Sequence, residues 1–172
     1  MTTDVFHHPW LGGLFGDPEV SDLLSTDRAL RNMLRIEAEY LRAKGELGLI
    51  PEEAAAKAAD TVEHARIDFS RLRAGTARDG LAVPELVKQL RASVDPELAD
   101  LVHTGLTSQD VVDTALVLSL KDVITLFDQS LEKLAGALGD LSSEHGALPL
   151  MGRTRMQSAE QITVADRIAT WA

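Results

Sequence analysis

The 172-residue chain contains no cysteine, which excludes disulfides, thiolate nucleophiles and cysteine-based metal sites. Aromatic residues are scarce, at 4 %, with one tyrosine and two tryptophans. The apolar 45 % is carried mainly by Leu, Ala and Val, a balance suited to helix packed on helix. No run of about 18 uninterrupted apolar residues occurs, so no membrane-spanning helix is expected. The opening stretch MTTDVFHHPWLGG lacks the basic and apolar regions of a secretory signal, and a cytoplasmic location is expected. Basic residues are outnumbered too: 17 Lys and Arg stand against 27 Asp and Glu, a net charge of −10. That balance argues against nucleic acid or an anionic membrane as partner. It leaves room for a small polyanionic substrate, because a few local cations dominate a closed site. Glycine-rich dinucleotide and phosphate loops and the G-x-S-x-G elbow are also missing.

What is present reads as helix. Pro9, Gly12, Gly13, Gly16 and Pro18 mark residues 1–20 as an irregular leader. Ser25 or Thr26 can cap a helix starting near Asp27, in which Leu30, Met33, Leu34, Tyr40 and Leu41 recur at three- and four-residue spacing until Gly45 and Gly48. Pro51, Glu52 and Glu53 suit a helix start, and Ala54 to Ala59 give it a small, closely packable face. A shorter helix is expected over 68–77 and another from Pro84 to about Val94, before a break at Asp95-Pro96. Asp68, Asp79 and Glu85 have no evident partner.

From Thr107 or Ser108 to about His145 the pattern continues without proline. About 38 residues at ~1.5 Å each predict a rod of roughly 57 Å. Val112, Leu116, Ser119, Val123, Leu126, Phe127, Leu131, Leu134, Leu138 and Leu141 form one stripe, and Val111, Ala115, Leu118, Leu120 and Ile124 broaden it. A helix apolar on several sides calls for several neighbours, here other subunits or a C-terminal continuation. Gly146 and Pro149 end the rod; residues 150–160 read as a polar loop, and a last helix starts near Glu160, inside which the chain stops. The expected domains are 1–105, helical, and 106–172, the first part of a long-helix bundle.

Two constellations could carry chemistry. In His103-Thr104-Gly105-Leu106-Thr107-Ser108-Gln109-Asp110, hydroxyls and unpaired backbone N–H groups at a helix start can hold a carboxylate, with a histidine four residues earlier to donate a hydrogen bond or a proton. An ordinary cap, with His103 on the surface, explains the same residues. In Gly152-Arg153-Thr154-Arg155-Met156-Gln157, two guanidiniums flank a hydroxyl, as an anion clamp or as an exposed basic loop. Adjacent His7 and His8 do not converge on one metal, so no metal site is expected. His64 and His145 read as solvated.

Three blocks together resemble the fumarase/aspartase superfamily. DRALRNMLRIEAEYLRAKGELGLIPEEAA, from Asp27 to Ala55, resembles the N-terminal helix pair of bacterial 3-carboxy-cis,cis-muconate cycloisomerases. HTGLTSQDVVDTA, from His103, resembles the superfamily's first signature region, and GRTRMQSAEQIT, from Gly152, its second. The resemblance implies an all-α fold: a helical N-terminal domain, then long helices that four subunits pool in a central bundle. Active sites are then shared between subunits. It implies that Thr107 and Ser108 grip a substrate carboxylate and that His103 and Ser108 belong to the catalytic group. Arg153, Thr154, Arg155 and Gln157 would bind substrate. No cofactor is implied.

The implied activity is interconversion of a 3-substituted muconate, carboxylated or sulfonated, and its muconolactone in aromatic catabolism. An elimination lyase of the adenylosuccinate or argininosuccinate type is the alternative in the same fold, and an inactive helical assembly module the alternative outside catalysis. Arg155 departs from the pattern: those lyases have His there and typical bacterial cycloisomerases Trp. Arginine is a poor general base, which counts against His-dependent lyase chemistry. The third signature region, a mobile Gly-Ser-Ser loop bearing the Ser regarded as the base, has no counterpart in 1–172, so this stretch alone is expected to be inactive.

Overall fold

The computed structural model describes residues 4–6 and 8–171. Among them the helices are α1 (Gly12–Phe15), α2 (Pro18–Leu23), α3 (Thr26–Glu46), α4 (Glu52–Glu63), α5 (Phe69–Asp79), α6 (Val83–Ser93), α7 (Ser108–His145) and α8 (Val164–Ile168). A 3₁₀ turn covers Pro96–Leu101, and strands β1 (Pro149–Arg153) and β2 (Ser158–Thr163) form an antiparallel pair. No helix among the described residues is long and apolar enough to cross a membrane. His7 lies outside the described residues.

The chain forms two compact units, Met1–Val123 and Ile124–Ala172. In the first, the apolar faces of α3 (Leu34, Ala38, Leu41), α4 (Ala58, Ala59, Val62) and α6 (Leu86, Leu90) close on one another, with Val94, Leu98 and Val102 completing the core. Ala55, Ala58 and Ala59 of α4 are buried, and their small size lets α4 approach α3. Ser25 caps α3 by accepting from the Arg28 N–H at 3.2 Å. A second cluster joins Val83 and Val87 of α6 to Val111 of α7.

The first turns of α7 are tied to α3 by a buried polar link. Asn32 donates from Nδ2 to the Ala115 carbonyl at 3.1 Å and to the Ser119 hydroxyl at 3.0 Å. Replacing Asn32 by Ala strands the Ser119 hydroxyl in an apolar setting. A loss of about 1–3 kcal/mol is expected, read as a lower urea midpoint with an unchanged slope.

Several expectations are corrected. The leader is not wholly irregular: Asp17 caps α2 by accepting from the Val20 N–H, with Pro18 at its first turn. The fold is mostly helical, as expected, but residues 150–160 are not a loop: they form most of a hairpin. Alternation had no apolar signal to show there, since most of these side chains are exposed. The last helix starts at Val164 rather than near Glu160, where Thr163 and Asp166 make a capping box.

Asp68, Asp79 and Glu85 have partners after all. Asp68 caps α5, Asp79 meets Arg78 at 2.7 Å, and buried Glu85 meets Arg71 at 3.1 Å. On α7 the buried positions are Val111, Ala115, Ser119 and Val123. Leu116, Phe127, Leu131, Leu134 and Leu141 of the expected stripe are exposed. Of that stripe Ser119 and Val123 are buried, and the exposed leucines are the part for which neighbours beyond this chain are expected.

Candidate active site

In the first unit, the segment from Leu101 to Asp110 runs from the 3₁₀ turn into α7 with two left-handed backbone positions. These are His103 at φ 61° and Gly105 at φ 101°. A non-glycine residue in that region costs free energy and persists where surroundings hold it. Here they do. Lys44 of α3 donates to the Leu101 carbonyl at 3.4 Å and the Thr104 carbonyl at 3.1 Å. Arg91 of α6 donates through Nε and Nη2 to the Val102 carbonyl at 3.3 and 3.0 Å. At Gly105 a Cβ would overlap the Tyr40 hydroxyl, so glycine is required by space as well as by φ.

His103 is not the surface residue of the bland reading. Its side chain is 15 % exposed, and Nδ1 lies 2.6 Å from Oε1 of Glu37, a carboxylate on α3 with no exposure at all. Burial pushes the Glu37 carboxyl above its ordinary range, opposed by the His103 hydrogen bond and charge and by the Arg91 charge.

Thr107 and Asp110 exchange two bonds. The Asp110 N–H donates to the Thr107 hydroxyl at 3.2 Å, and the Thr107 N–H donates to Asp110 Oδ2 at 2.8 Å. The cap half of the sequence expectation is thus met by Thr107. Its hydroxyl accepts in this bond, and the Thr107 side chain also hydrogen-bonds the Asp110 carboxylate. The Thr107 backbone N–H most of all, and then the Thr107 side chain, hold the Asp110 carboxyl below its ordinary range. A depressed value means the cap contributes stability above the ordinary carboxylate range and loses it as pH falls through the lower, folded-state value. The side chain of Ser108, half-buried at the first position of α7, makes no hydrogen bond among the described residues.

In the second unit, Arg153 ends β1, and Thr154 and Gln157 close the hairpin turn. The Thr154 N–H and hydroxyl both donate to the Gln157 carbonyl, at 2.9 and 3.3 Å. Arg153, Thr154, Arg155 and Gln157 are all exposed on this turn. The register shifts between Met151 and Arg153, and a Cβ at Gly152 would stand 2.7 Å from the Glu160 carbonyl oxygen. Glycine therefore lets the bulge form that re-aims Arg153.

The structure gathers His103, Thr107 and Ser108 on one segment and the two arginines with Thr154 and Gln157 on another, in different compact units. Sequence reasoning missed Glu37, Lys44, Arg91 and Tyr40. A signal existed for the first: Glu37 occupies the apolar face of α3, between Leu34 and Leu41. No group of three or more His, Asp or Glu residues able to hold a metal occurs among the described residues. His8 packs its ring edge-on against Trp10. A cavity of about 600 Å³ lined by Phe6, Phe15, Val20 and Leu24 includes no residue of the His103–Asp110 segment.

A family model described as lyase matches residues 20–172. The 3-carboxy-cis,cis-muconate cycloisomerase of Pseudomonas putida is 36 % identical over 158 residues, covering 90 % of this chain and 37 % of that protein. Adenylosuccinate lyase of Methanocaldococcus jannaschii is 31 % identical over 158 residues, covering 92 % of this chain and 34 % of that protein. The crystal structure of the 3-carboxy-cis,cis-muconate lactonizing enzyme from Pseudomonas putida matches with a TM-score of 0.85 and 34 % identity, covering 95 % of this chain and 38 % of that one. The chain thus spans little more than a third of the length of such relatives.

Proposed function

This chain belongs to the fumarase/aspartase superfamily, and from that premise we propose that the full-length protein is a cycloisomerase interconverting 3-carboxy-cis,cis-muconate and its muconolactone. In the lactonizing direction a carboxylate oxygen of the substrate adds across an activated double bond of the same molecule, and a proton is delivered to the neighbouring carbon. In reverse, that carbon loses the proton as the ring C–O bond breaks. Atoms balance within the substrate and one proton, and the substrate's own carboxylates activate the carbon.

Negative charge builds on the carboxylate attached to the carbon that gains or loses the proton. Fixed donors aimed at such charge are worth several kcal/mol of barrier. We assign that task to the hydroxyls of Thr107 and Ser108, the first N–H groups of α7, and the guanidiniums of Arg153 and Arg155, with Thr154 and Gln157 completing the binding set. His103 contacts the substrate and is placed to serve in proton transfer.

The observation that carries this reading is the His103–Ser108 segment. Its backbone is held by Lys44 and Arg91, Tyr40 lies against Gly105, and the Ser108 hydroxyl has no hydrogen-bond partner among the described residues. Such preorganisation costs stability unless a ligand uses it. The reading also requires the arginine turn of one copy to meet the Thr107–Ser108 helix start of another. Exposed Leu116, Leu120, Phe127, Leu131, Leu134 and Leu141 along α7 support burial between copies in a tetramer.

The test is an assay of the full-length protein with 3-carboxy-cis,cis-muconate, following loss of diene absorbance. Release of fumarate from adenylosuccinate with no reaction of the muconate would reassign the protein to the elimination lyases, a reading favoured by the 31 % identical relative. Arg155 stands against it as a fixed cation where those enzymes use His.

Arg155 also sets a specificity prediction. Arg155→Trp should shift the kcat/KM ratio between 3-carboxy- and 3-sulfomuconate by about tenfold or more, in line with loss of one charge-assisted contact. An unchanged ratio removes Arg155 from the site.

A further inference from the structure

Glu37 and His103 stand 66 residues apart in sequence, yet their side chains meet at 2.6 Å. The carboxylate belongs to α3 and is wholly buried, beside Leu34, Ala38 and Leu41 on the face that builds the core. A charge in that position is costly, and a purely structural role would be better served by an uncharged side chain of similar volume. Its second oxygen, Oε2, is buried without a hydrogen-bond partner. The nearby cations do not take that oxygen: Lys44 and Arg91 place their donors on the carbonyls of Leu101, Val102 and Thr104. The carboxylate's hydrogen bonding is therefore devoted to one atom, Nδ1 of His103. The histidine meanwhile holds a left-handed backbone conformation that costs free energy of its own.

We infer that Glu37 is a positioning residue: it accepts the Nδ1 proton of His103, fixes the plane and tautomer of the ring, and leaves Nε2 as the nitrogen open to substrate. A carboxylate behind an imidazole orients the ring and steadies the cation formed if Nε2 takes a proton. The elements divide the labour. Helix α3 supplies the acid from the core, α6 and Lys44 hold the backbone of the loop, and the loop presents the imidazole. This rests on the reading of His103 as a substrate-facing group.

The test uses the full-length enzyme and 3-carboxy-cis,cis-muconate. Glu37→Leu is expected to lower kcat by about 10²-fold with KM moved far less, the size of loss typical when an orienting partner is removed. Glu37→Gln keeps an oxygen that accepts the same proton and should recover at least about tenfold of that loss. In a His103→Asn background, either Glu37 substitution should change kcat by less than about threefold, because its effect passes through the missing ring. Losses that persist undiminished in that background overturn the assignment and leave Glu37 a packing residue. If Glu37→Leu fails to fold, the Gln variant carries the same comparison.

A second measurement needs no substrate. Solid-state ¹⁵N spectroscopy of histidine-labelled full-length protein, with the His103 signal identified by its loss in His103→Asn, should find the proton on Nδ1. In Glu37→Gln, Nδ1 should keep its proton, and in Glu37→Leu it should be lost to Nε2. An Nδ1 without a proton in the parent protein overturns the inference. A parent protein inert towards the muconate overturns the substrate reading instead, and the spectroscopic result still decides the role of Glu37.

Discussion

Ser108→Ala should lower kcat/KM of the full-length enzyme by about 10²–10³-fold, the typical loss when one preorganised donor is withdrawn from developing negative charge. Its thermal midpoint should stay where it was. The Ser108 side chain makes no hydrogen bond within the described residues, and the residue sits at the first position of α7, where Ala is at least as good a helix former. The neighbouring hydroxyl behaves differently. Thr107→Ala also loses the hydroxyl that accepts from the Asp110 N–H, so about 1 kcal/mol of stability should go with the activity. Steady-state kinetics and urea unfolding on both variants separate the two roles. An active Ser108→Ala enzyme would remove Ser108 from the site, and a destabilised one would show its hydroxyl to be a structural group.

Gly105→Ala should destabilise the protein by about 1–3 kcal/mol and depress kcat by about 10²-fold at once. Its backbone φ of 101° lies in territory that L side chains rarely adopt, and the new methyl would run into the Tyr40 hydroxyl. Relief moves either the Tyr40 ring or the loop itself, and His103 and Thr107 move with the loop. Tyr40→Phe in the Gly105→Ala background removes the overlap but not the backbone cost. It should therefore restore part of the stability and less of the activity. A Gly105→Ala protein with parental midpoint and turnover would contradict the loop geometry described above.

The helices were legible because their signals are local. The Ser25 cap, the three- and four-residue spacing through Leu41, the alanine run of α4 and the proline-free stretch to His145 each act within a few turns of backbone. The hairpin over Pro149–Thr163 was not legible. Its side chains are largely exposed, so period-two alternation left no mark, and its bulge depends on Gly152 lying against a carbonyl on the facing strand. On α7 the face buried within the chain is the one that meets α3, where Ala115 and Ser119 lie against Asn32, while Leu116 and Phe127 are exposed.

The candidate site divides along the same line. The types of its residues were written in two short blocks, which chemistry alone left open between anion binders on one side and an ordinary cap and an exposed basic loop on the other. The partners that hold the first block in shape, Glu37, Lys44 and Arg91, come from helices distant in sequence, and neither periodicity nor motif links them to it. Composition, caps and helix lengths follow from interactions between near neighbours, so the amino-acid order determined them unaided. The left-handed turn at His103, the buried carboxylate behind its ring and the choice of which face of α7 goes inside depend on long-range packing. Tertiary structure alone decided those, because there the cost of burying charge and bending backbone is set by whatever the rest of the chain brings alongside.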